Sequence, residues 1–304
     1  MIEIVATAES VEQATALVKA GVDTLYIGKD EFGLRLPASF TENEIIEITK
    51  IAHENGSQVC VAVNGLMHND RIKEVVSYLQ FLETAKVDSV TVGDPGVIHL
   101  MKKNNIEIPF IYDAQTLVTS AKHINFWAKR GAKGAVLARE LTFPELKEIA
   151  NQVSVPVELL VYGATCIHHS KRPLVENYYN FVEGEQPSGK DIYVSEPKKP
   201  ETHYSIYEDI NGTHVFATND INLLPHIKEI TAAGLNQWKL DGIFTRGERF
   251  VEIAKLFIEA KKAIESNSCT EEQLEKWNEQ LLNLHPEERT LDEGFFLKDP
   301  SEVQ

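Results

Sequence analysis

The chain alternates between two hydrophobic patterns. Short runs such as TLYIG, SVTVG and GAVLA place apolar or β-branched residues on both faces, which is typical of strands buried in a parallel sheet. Longer stretches between these runs carry apolar residues at helical spacing. Some of these stretches end near a Gly, as at Gly21 and Gly131, and Gly suits the left-handed position that closes a helix. The pattern predicts a repeated strand–helix unit.

Eight strands are predicted, at residues 3–6, 24–27, 58–63, 89–92, 110–112, 134–137, 157–161 and 238–240. Strands that alternate with helices imply a parallel sheet, and eight such units in about 265 residues fit a closed barrel. The expected fold class is therefore α/β, a (β/α)8 barrel of the TIM type. The alternative is an open doubly wound sheet, but the sequence contains no Gly-rich nucleotide-binding motif that would support it.

Capping sequences mark two of the helix starts. Thr41 and Glu44 form a capping box at the start of one helix. Thr142 and Glu145 form another, with Pro144 in the first turn, where its missing N–H costs little. Both positions agree with the strand–helix alternation.

The connection between the seventh and eighth strands, residues 164–220, is far longer than an ordinary βα loop. Asn211-Gly212 lies between alternating runs at 203–209 and 214–217, which predicts a β-hairpin. Residues 183–200 are rich in Gly, Pro, Ser and Lys, and we expect this segment to be mobile.

The predicted domains follow from these boundaries. Residues 1–265 form the barrel domain, which includes the long insertion. Residues 266–304 form a C-terminal extension, with a helix that Thr270 caps and an acidic tail. We expect this extension to pack on the barrel.

The formal charge of the chain is −16 at pH 7. So acidic a surface repels phosphate backbones, and a nucleic-acid substrate would therefore require a basic partner or a local basic cleft. Lys171-Arg172 and Lys198-Lys199 in the insertion offer such a basic rim. The alternative is that the charge serves only solubility.

Cysteine use indicates a reducing compartment. Cys60, Cys166 and Cys269 are far apart, odd in number and in no CxxC pair. The first residues, MIEIVATAES, do not resemble a signal peptide, and no apolar stretch approaches the roughly 20 residues that span a bilayer. We expect a cytoplasmic protein without membrane association.

Polar side chains follow the predicted strands where barrel enzymes carry their chemistry. They are Asn64, His68, Asp94, Asp113, Gln115, Arg139, Glu140, Tyr162, Cys166, His168, His169 and Asp241. Such a ring predicts a cleft for a polar small molecule or a ribose–phosphate. Each residue also has a structural interpretation: Asp94 could only cap a helix, and Arg139 could only pair with Glu140.

The candidates divide by chemistry. Cys166, His168 and Glu140 are the catalytic candidates, with Cys166 as nucleophile and His168 or His169 as base. The substrate-binding candidates are Asn64, His68, Gln115, Arg139, Tyr162 and Asp241. A metal site is not expected, because two adjacent His residues rarely ligate one ion and no further ligand lies at motif spacing. GxSxG and HExxH are absent.

The segment ELLVYGATC, which ends at Cys166, resembles the signature of the collagenase-like peptidase family (family U32). In that signature the Cys is followed, after four residues, by Gly, one residue and a second Cys. The segments VKAGVDTLYIG, YDAQTLVTSA and RTLDEGFF also look like family segments. The resemblance therefore covers nearly the whole chain.

This sequence departs from the family at its cysteines. The second Gly and the second Cys fall on Lys171 and Pro173, and residues 180–200 contain no Cys. The resemblance implies that family members with four such cysteines bind an iron–sulfur cluster. One thiolate cannot replace four ligands. We therefore expect no iron–sulfur cluster and no other cofactor in this chain.

The resemblance also implies a function. Several family members act in RNA modification, including hydroxylation of the tRNA wobble uridine, and short members resemble the first subunit of a pair encoded side by side. We expect a cluster-less subunit in a hetero-oligomer with a cysteine-containing paralogue, with tRNA contacted through that partner. One alternative is a collagenase-like peptidase (a hydrolase), although the sequence contains no recognisable peptidase motif with a nucleophile–base pair or a metal triad. The other is a non-catalytic binding scaffold, so enzymatic activity stays open.

Overall fold

A computed structural model describes residues 1–185 and 192–302 of the chain. Its barrel strands are β1 (Glu3–Thr7), β2 (Thr24–Gly28), β3 (Gln58–Ala62), β4 (Ser89–Val92), β5 (Phe110–Tyr112), β6 (Gly134–Val136), β7 (Val157–Ser170) and β11 (Gln237–Leu240). Neighbouring strands are parallel, and β11 pairs with both β1 and β7, which closes the barrel. The predicted (β/α)8 fold is confirmed, and each predicted strand is present.

Helices surround the barrel. They are α1 (Val11–Ala20), α2 (Glu42–Glu54), α3 (Val75–Thr84), α4 (Pro95–Lys103), α5 (Ala121–Ala128), α6 (Phe143–Gln152), α7 (Leu174–Phe181), α8 (Ile227–Ala232), α9 (Gly247–Glu265) and α10 (Glu271–Leu284). Both predicted capping boxes form, at Thr41 and Thr142, and an N-cap of this kind contributes about 1 kcal/mol. Within the described part of the chain, no helix has the length and apolar character to cross a membrane.

The main hydrophobic core lies between the strands and the surrounding helices. Alternate residues of each strand point outward into this layer, where Leu25, Val61 and Leu240 are completely buried. A much smaller apolar cluster, which includes Val5, Tyr26 and Cys60, lies on the opposite face, inside the barrel. The upper part of the barrel interior is therefore left to polar side chains.

The insertion is a small antiparallel sheet built on β7. Beyond the barrel, β7 pairs with β10 (Gly212–Asn222), which pairs with β9 (Lys199–Asp209), which pairs with β8 (Ile192–Glu196). The hairpin predicted at Asn211-Gly212 is confirmed, with strands longer than expected. The segment predicted to be mobile, 183–200, includes β8 and the first residues of β9, and its residues 186–191 lie outside the described residues.

Two glycines permit this geometry. Gly163, where β7 leaves the barrel, has φ 121°, and a Cβ there would lie 2.3 Å from the carbonyl oxygen of Asp241. Gly212 in the hairpin turn has φ 111°, and its Cβ would lie 2.1 Å from the carbonyl oxygen of Ser170. Both positions exclude side chains, because the backbone conformation and the close approach each require Gly.

The C-terminal extension ties the insertion to the barrel. Thr270 caps α10 as predicted, and β12 (Thr290–Asp292) adds to β10 in parallel. Arg289 forms an ion pair with Asp220 of β10, and their side chains are only 7% and 1% exposed. The tail therefore contains a strand and a buried charge pair. The domain boundary predicted after residue 265 coincides with the end of α9, and its status as a domain boundary stays a prediction.

We predict that Arg289→Met lowers the free energy of unfolding by about 3–5 kcal/mol, because it leaves the Asp220 carboxylate buried without its partner. Urea denaturation measures this loss. The matched control is Lys255→Met, which removes an exposed ion pair with Glu252 and should cost about 0–1 kcal/mol. Equal losses in the two variants would contradict the prediction.

Candidate functional site

A cavity of about 540 Å³ opens at the mouth of the barrel, where the carboxyl ends of the strands meet. Nine of the polar residues predicted at the strand ends line it: Asn64, Asp113, Gln115, Arg139, Glu140, Cys166, His168, His169 and Asp241. They follow or lie on five different strands, so only barrel closure brings them together. The structure thus places these side chains in one cleft, whereas their individual roles stay predictions.

A buried charge pair forms the floor of the cavity. Glu158 of β7 and Lys239 of β11 lie 3.8 Å apart at their charged atoms, with both side chains 7% exposed. The Lys239 ammonium also lies 3.2 Å from the centre of the Tyr26 ring, a cation–π contact. Burial raises the pKa of Glu158, and the charge of Lys239 opposes that rise. Neither residue was among the predicted site residues, although a charged residue within a buried strand is a usable signal.

One wall is a hydrogen-bonded network. The Asn64 amide donates to one oxygen of Asp113 at 2.5 Å, and the Gln115 amide donates to the other at 3.0 Å. Arg35, which the sequence analysis did not single out, donates to the Gln115 side-chain oxygen. Arg35 and Gln115 both have left-handed backbones, with φ 54° and 56°. Strained non-Gly residues of this kind concentrate at functional sites.

Arg139 forms the opposite wall. Its guanidinium lies 3.6 Å from the Asp241 carboxylate and donates to the carbonyl oxygen of Ala164. Arg139 therefore pairs with Asp241, and the interpretation that it serves only to pair with Glu140 is wrong. Glu140 is exposed at the cavity rim. The Asp94 side chain caps α4 by accepting a hydrogen bond from the backbone N–H of Gly96 at 2.6 Å, in agreement with its structural interpretation.

The thiol of Cys166 faces an imidazole that the sequence analysis did not assign to it. The register of β7 and β10 (Gly212–Asn222) places His214 on the same face of the insertion sheet as Cys166. His168 contacts the thiol through its backbone carbonyl oxygen, 3.3 Å from Sγ. His214 stacks on the ring of His169 at 4.5 Å. Burial favours the neutral thiol, but the His214 imidazole and the charges of Arg35 and Arg139 outweigh it and lower the Cys166 pKa.

Two of the predicted substrate-binding residues lie outside the cavity. Tyr162 is fully buried on the helix side of the barrel, where its hydroxyl group lies 2.8 Å from both Thr245 Oγ1 and His285 Nδ1. An irregularity in the pairing of β7 with β11 aligns Tyr162 with Leu240, whose side chain also points outward, toward the helices. His68 is exposed on the loop after β3 and is not part of the cavity lining.

A family model supplies the decisive comparison. The model for peptidase family U32 matches residues 9–304. The chain belongs to peptidase family U32. This family member is 32% identical over 302 residues to tRNA hydroxylation protein P2 of Bacillus subtilis, covering 98% of each chain.

Two further relatives show the range of the family. tRNA hydroxylation protein P1 of Bacillus subtilis is 26% identical over 248 residues, which are 79% of this chain but 58% of P1. Collagenase of Porphyromonas gingivalis is 22% identical over 308 residues, 97% of this chain and 73% of the collagenase. The expected similarity to tRNA-hydroxylation proteins is confirmed. The relative that this chain matches over 98% of both lengths is the one named P2.

The cysteines of this U32 family member do not fit an iron–sulfur cluster. Cys60 is buried in a barrel strand, where burial raises its pKa to about 12, and Cys269 lies in the link between α9 and α10. In the described part of the chain, Cys166 is the one cysteine that lines the cavity, and a cluster needs about four ligands. Among residues 1–185 and 192–302, no three His, Cys, Asp or Glu side chains converge as a metal site. The lack of a cofactor stays a prediction.

We predict that His285 makes the protein sensitive to mild acid. Burial lowers its pKa to about 4, against about 6.5 in an unfolded chain. Between these values only the unfolded state takes up the proton, so stability falls as pH falls, by at most about 1.4 kcal/mol per pH unit.

Urea denaturation from pH 7 to pH 4 checks this expectation. The stability difference between wild type and His285→Gln should shrink as pH falls. The control is His99→Gln at an exposed position, for which the difference should stay constant. A difference independent of pH for His285→Gln would refute the assignment.

Proposed function

We propose that this chain is a cluster-less subunit of a tRNA wobble-uridine hydroxylation system. The observation that carries the proposal is the match to tRNA hydroxylation protein P2, which extends over 98% of both chains. The less similar P1 of the same organism extends well beyond the matched region. A short member and a longer member of one family thus occur together in Bacillus subtilis.

The barrel mouth is the proposed substrate site. A volume of about 540 Å³ suits a small molecule or a single nucleotide drawn out of its stack. Its walls offer amide, guanidinium and carboxylate groups from Asn64, Gln115, Arg139 and Asp241. All four groups are already held by neighbours: Asn64 and Gln115 donate to Asp113, and Arg139 pairs with Asp241. The site is therefore organised before a ligand arrives.

The proposed partner is a cysteine-containing paralogue that contributes most of the tRNA contact. A formal charge of −16 disfavours direct binding to phosphate backbones, and a more basic partner would compensate for it. On the insertion, α7 exposes Tyr178 and Phe181, the latter with 87% of its surface open. Exposed aromatic side chains of this kind are typical of protein contact surfaces. The free cysteines support a cytoplasmic location for the pair.

We predict that deletion of the gene removes hydroxylation of the tRNA wobble uridine, measured by mass analysis of tRNA nucleosides. Wild type should restore the modified nucleoside. Arg139→Met should lower it about tenfold, because a charged hydrogen-bonding group at the cavity contributes about 1.5–3 kcal/mol. The control, Lys255→Met on the outer surface, should behave as wild type. An unchanged nucleoside profile in the deletion strain would refute the proposal.

We predict that the protein purified alone under anaerobic conditions contains no stoichiometric iron, because among the residues that the structure describes Cys166 is the only cysteine at the cavity. Iron analysis and visible absorption measure this. Co-purification with the paralogue should yield iron that stays with the partner when the two are separated. Stoichiometric iron in the isolated chain, lost in Cys166→Ala, would show that this subunit holds a cluster after all.

A further inference from the structure

The hairpin of the insertion places a carboxylate behind an imidazole. His214 Nε2 lies 3.0 Å from Asp209 Oδ1, across the turn that joins β9 and β10. The same carboxylate oxygen accepts from the backbone N–H of Asn211 at 2.7 Å, which fixes its position. The His214 side chain is completely buried. A carboxylate at Nε2 favours the tautomer with its proton there and leaves Nδ1 as an acceptor.

Nδ1 of His214 has no hydrogen bond within the described residues, although it is buried. A buried polar atom without a partner costs about 1–3 kcal/mol and calls for an explanation. The Cys166 thiol lies on the same face of the β7–β10 ladder, because Phe216, two residues after His214, is aligned with Cys166. In this conformation Sγ donates to the His168 carbonyl oxygen at 3.3 Å. Nδ1 therefore remains available to accept the thiol proton of Cys166.

Positive charges face the same sulfur from two other loops. Arg35 follows β2 and Arg139 follows β6, and both favour the thiolate form of Cys166. Asn211 anchors the hairpin turn on the first of these loops by donating to the carbonyl oxygens of Asp30 and Gly33, at 2.9 and 3.2 Å. The hairpin that carries His214 is therefore hydrogen-bonded to the loop that carries Arg35.

We propose that Cys166 and His214, with Asp209 as a positioning residue, form a nucleophilic site that attacks the acyl carbon of a small ester or thioester bound in the cavity. A cavity of about 540 Å³ suits a small acyl compound better than a polypeptide segment. Arg139 supplies positive charge where the carbonyl oxygen becomes anionic. This proposal goes beyond the tRNA proposal and does not depend on it.

The steps balance without an oxidant or reductant. The thiol proton moves to His214 Nδ1 as sulfur bonds to the acyl carbon. The bond from that carbon to the leaving oxygen or sulfur breaks, and the imidazolium protonates the leaving group. Water, deprotonated by the same imidazole, then attacks the acyl carbon, and the carbon–sulfur bond breaks as Cys166 regains its proton. The net reaction is hydrolysis.

The first test measures thiol reactivity in the folded wild-type protein with iodoacetamide at neutral pH, by peptide mass mapping. Cys166 should react at least about tenfold faster than Cys269, since each unit of thiol pKa changes the thiolate fraction about tenfold. Burial raises the pKa of Cys269 and that of Cys60, so both serve as internal references. Equal rates at Cys166 and Cys269 would overturn the proposal.

Variants then separate the roles of the two partners. His214→Gln should slow alkylation of Cys166 about tenfold and move its pH profile upward. Asp209→Asn should also move the pH profile of Cys166 alkylation upward. Asp209→Glu, which keeps the carboxylate, should restore part of the wild-type profile. A merely structural role of Asp209 would not produce this partial recovery. If His214→Gln fails to fold, the wild-type comparison of the three cysteines still decides the question.

The second test uses p-nitrophenyl acetate as the acyl probe. Wild type should release nitrophenolate and carry an acetyl group on Cys166, both lost in Cys166→Ser and retained in the control Cys269→Ser. Rapid alkylation without any acetyl–Cys166 intermediate, or hydrolysis unchanged in Cys166→Ser, would overturn the proposal. Nucleoside analysis of a Cys166→Ser strain keeps the two proposals distinct, since the tRNA proposal is judged by that profile and this one by the acetyl group.

Discussion

Antiparallel pairing of β10 with the part of β7 that extends beyond the barrel determines where the reactive groups lie. The pairing aligns His214 with His169 and Phe216 with Cys166, so that side chains remote in sequence share one face of a small sheet. Because a shift of one residue along this ladder would turn every side chain to the opposite face, the site depends on the register being fixed. Gly212 in the turn and the ion pair between Asp220 and Arg289 fix it at both ends.

The interior of the barrel shows a second constraint, which is the burial of charge. A barrel of this size is ordinarily filled by branched apolar side chains. Here Glu158, Lys239 and Asp113 occupy the lumen, and each would be costly without its partners. Lys239 pairs with Glu158 and stacks on Tyr26, while Asp113 accepts from Asn64 and Gln115. Apolar residues of similar volume would fill the lumen at a lower cost in free energy. The paired polar side chains are therefore better explained by ligand binding than by stability.

Much of this arrangement follows from local sequence, and the remainder depends on contacts between remote segments. Strand positions could be predicted because continuous apolar runs such as TLYIG have few other stable environments. The polar ring at the mouth could be predicted from its place after each strand. Tyr162 was misassigned because an irregularity in the β7–β11 ladder reverses the direction of its side chain, and the sequence carries no sign of it. His214 was overlooked as the neighbour of Cys166 because strand seven was predicted to end at residue 161, whereas its extension to Ser170 is the part that pairs with β10.

The link between β12 and β10 has a consequence for the order of assembly. During synthesis β7, the hairpin and β11 leave the ribosome before Arg289 and Thr290–Asp292 do. Until those later residues arrive, Asp220 has no cationic partner and one edge of β10 is unpaired. Domains generally fold in the order of synthesis, so the barrel can close before the hairpin acquires its final support. The end of β10 that pairs with β12 is therefore among the last parts of the structure to gain its support.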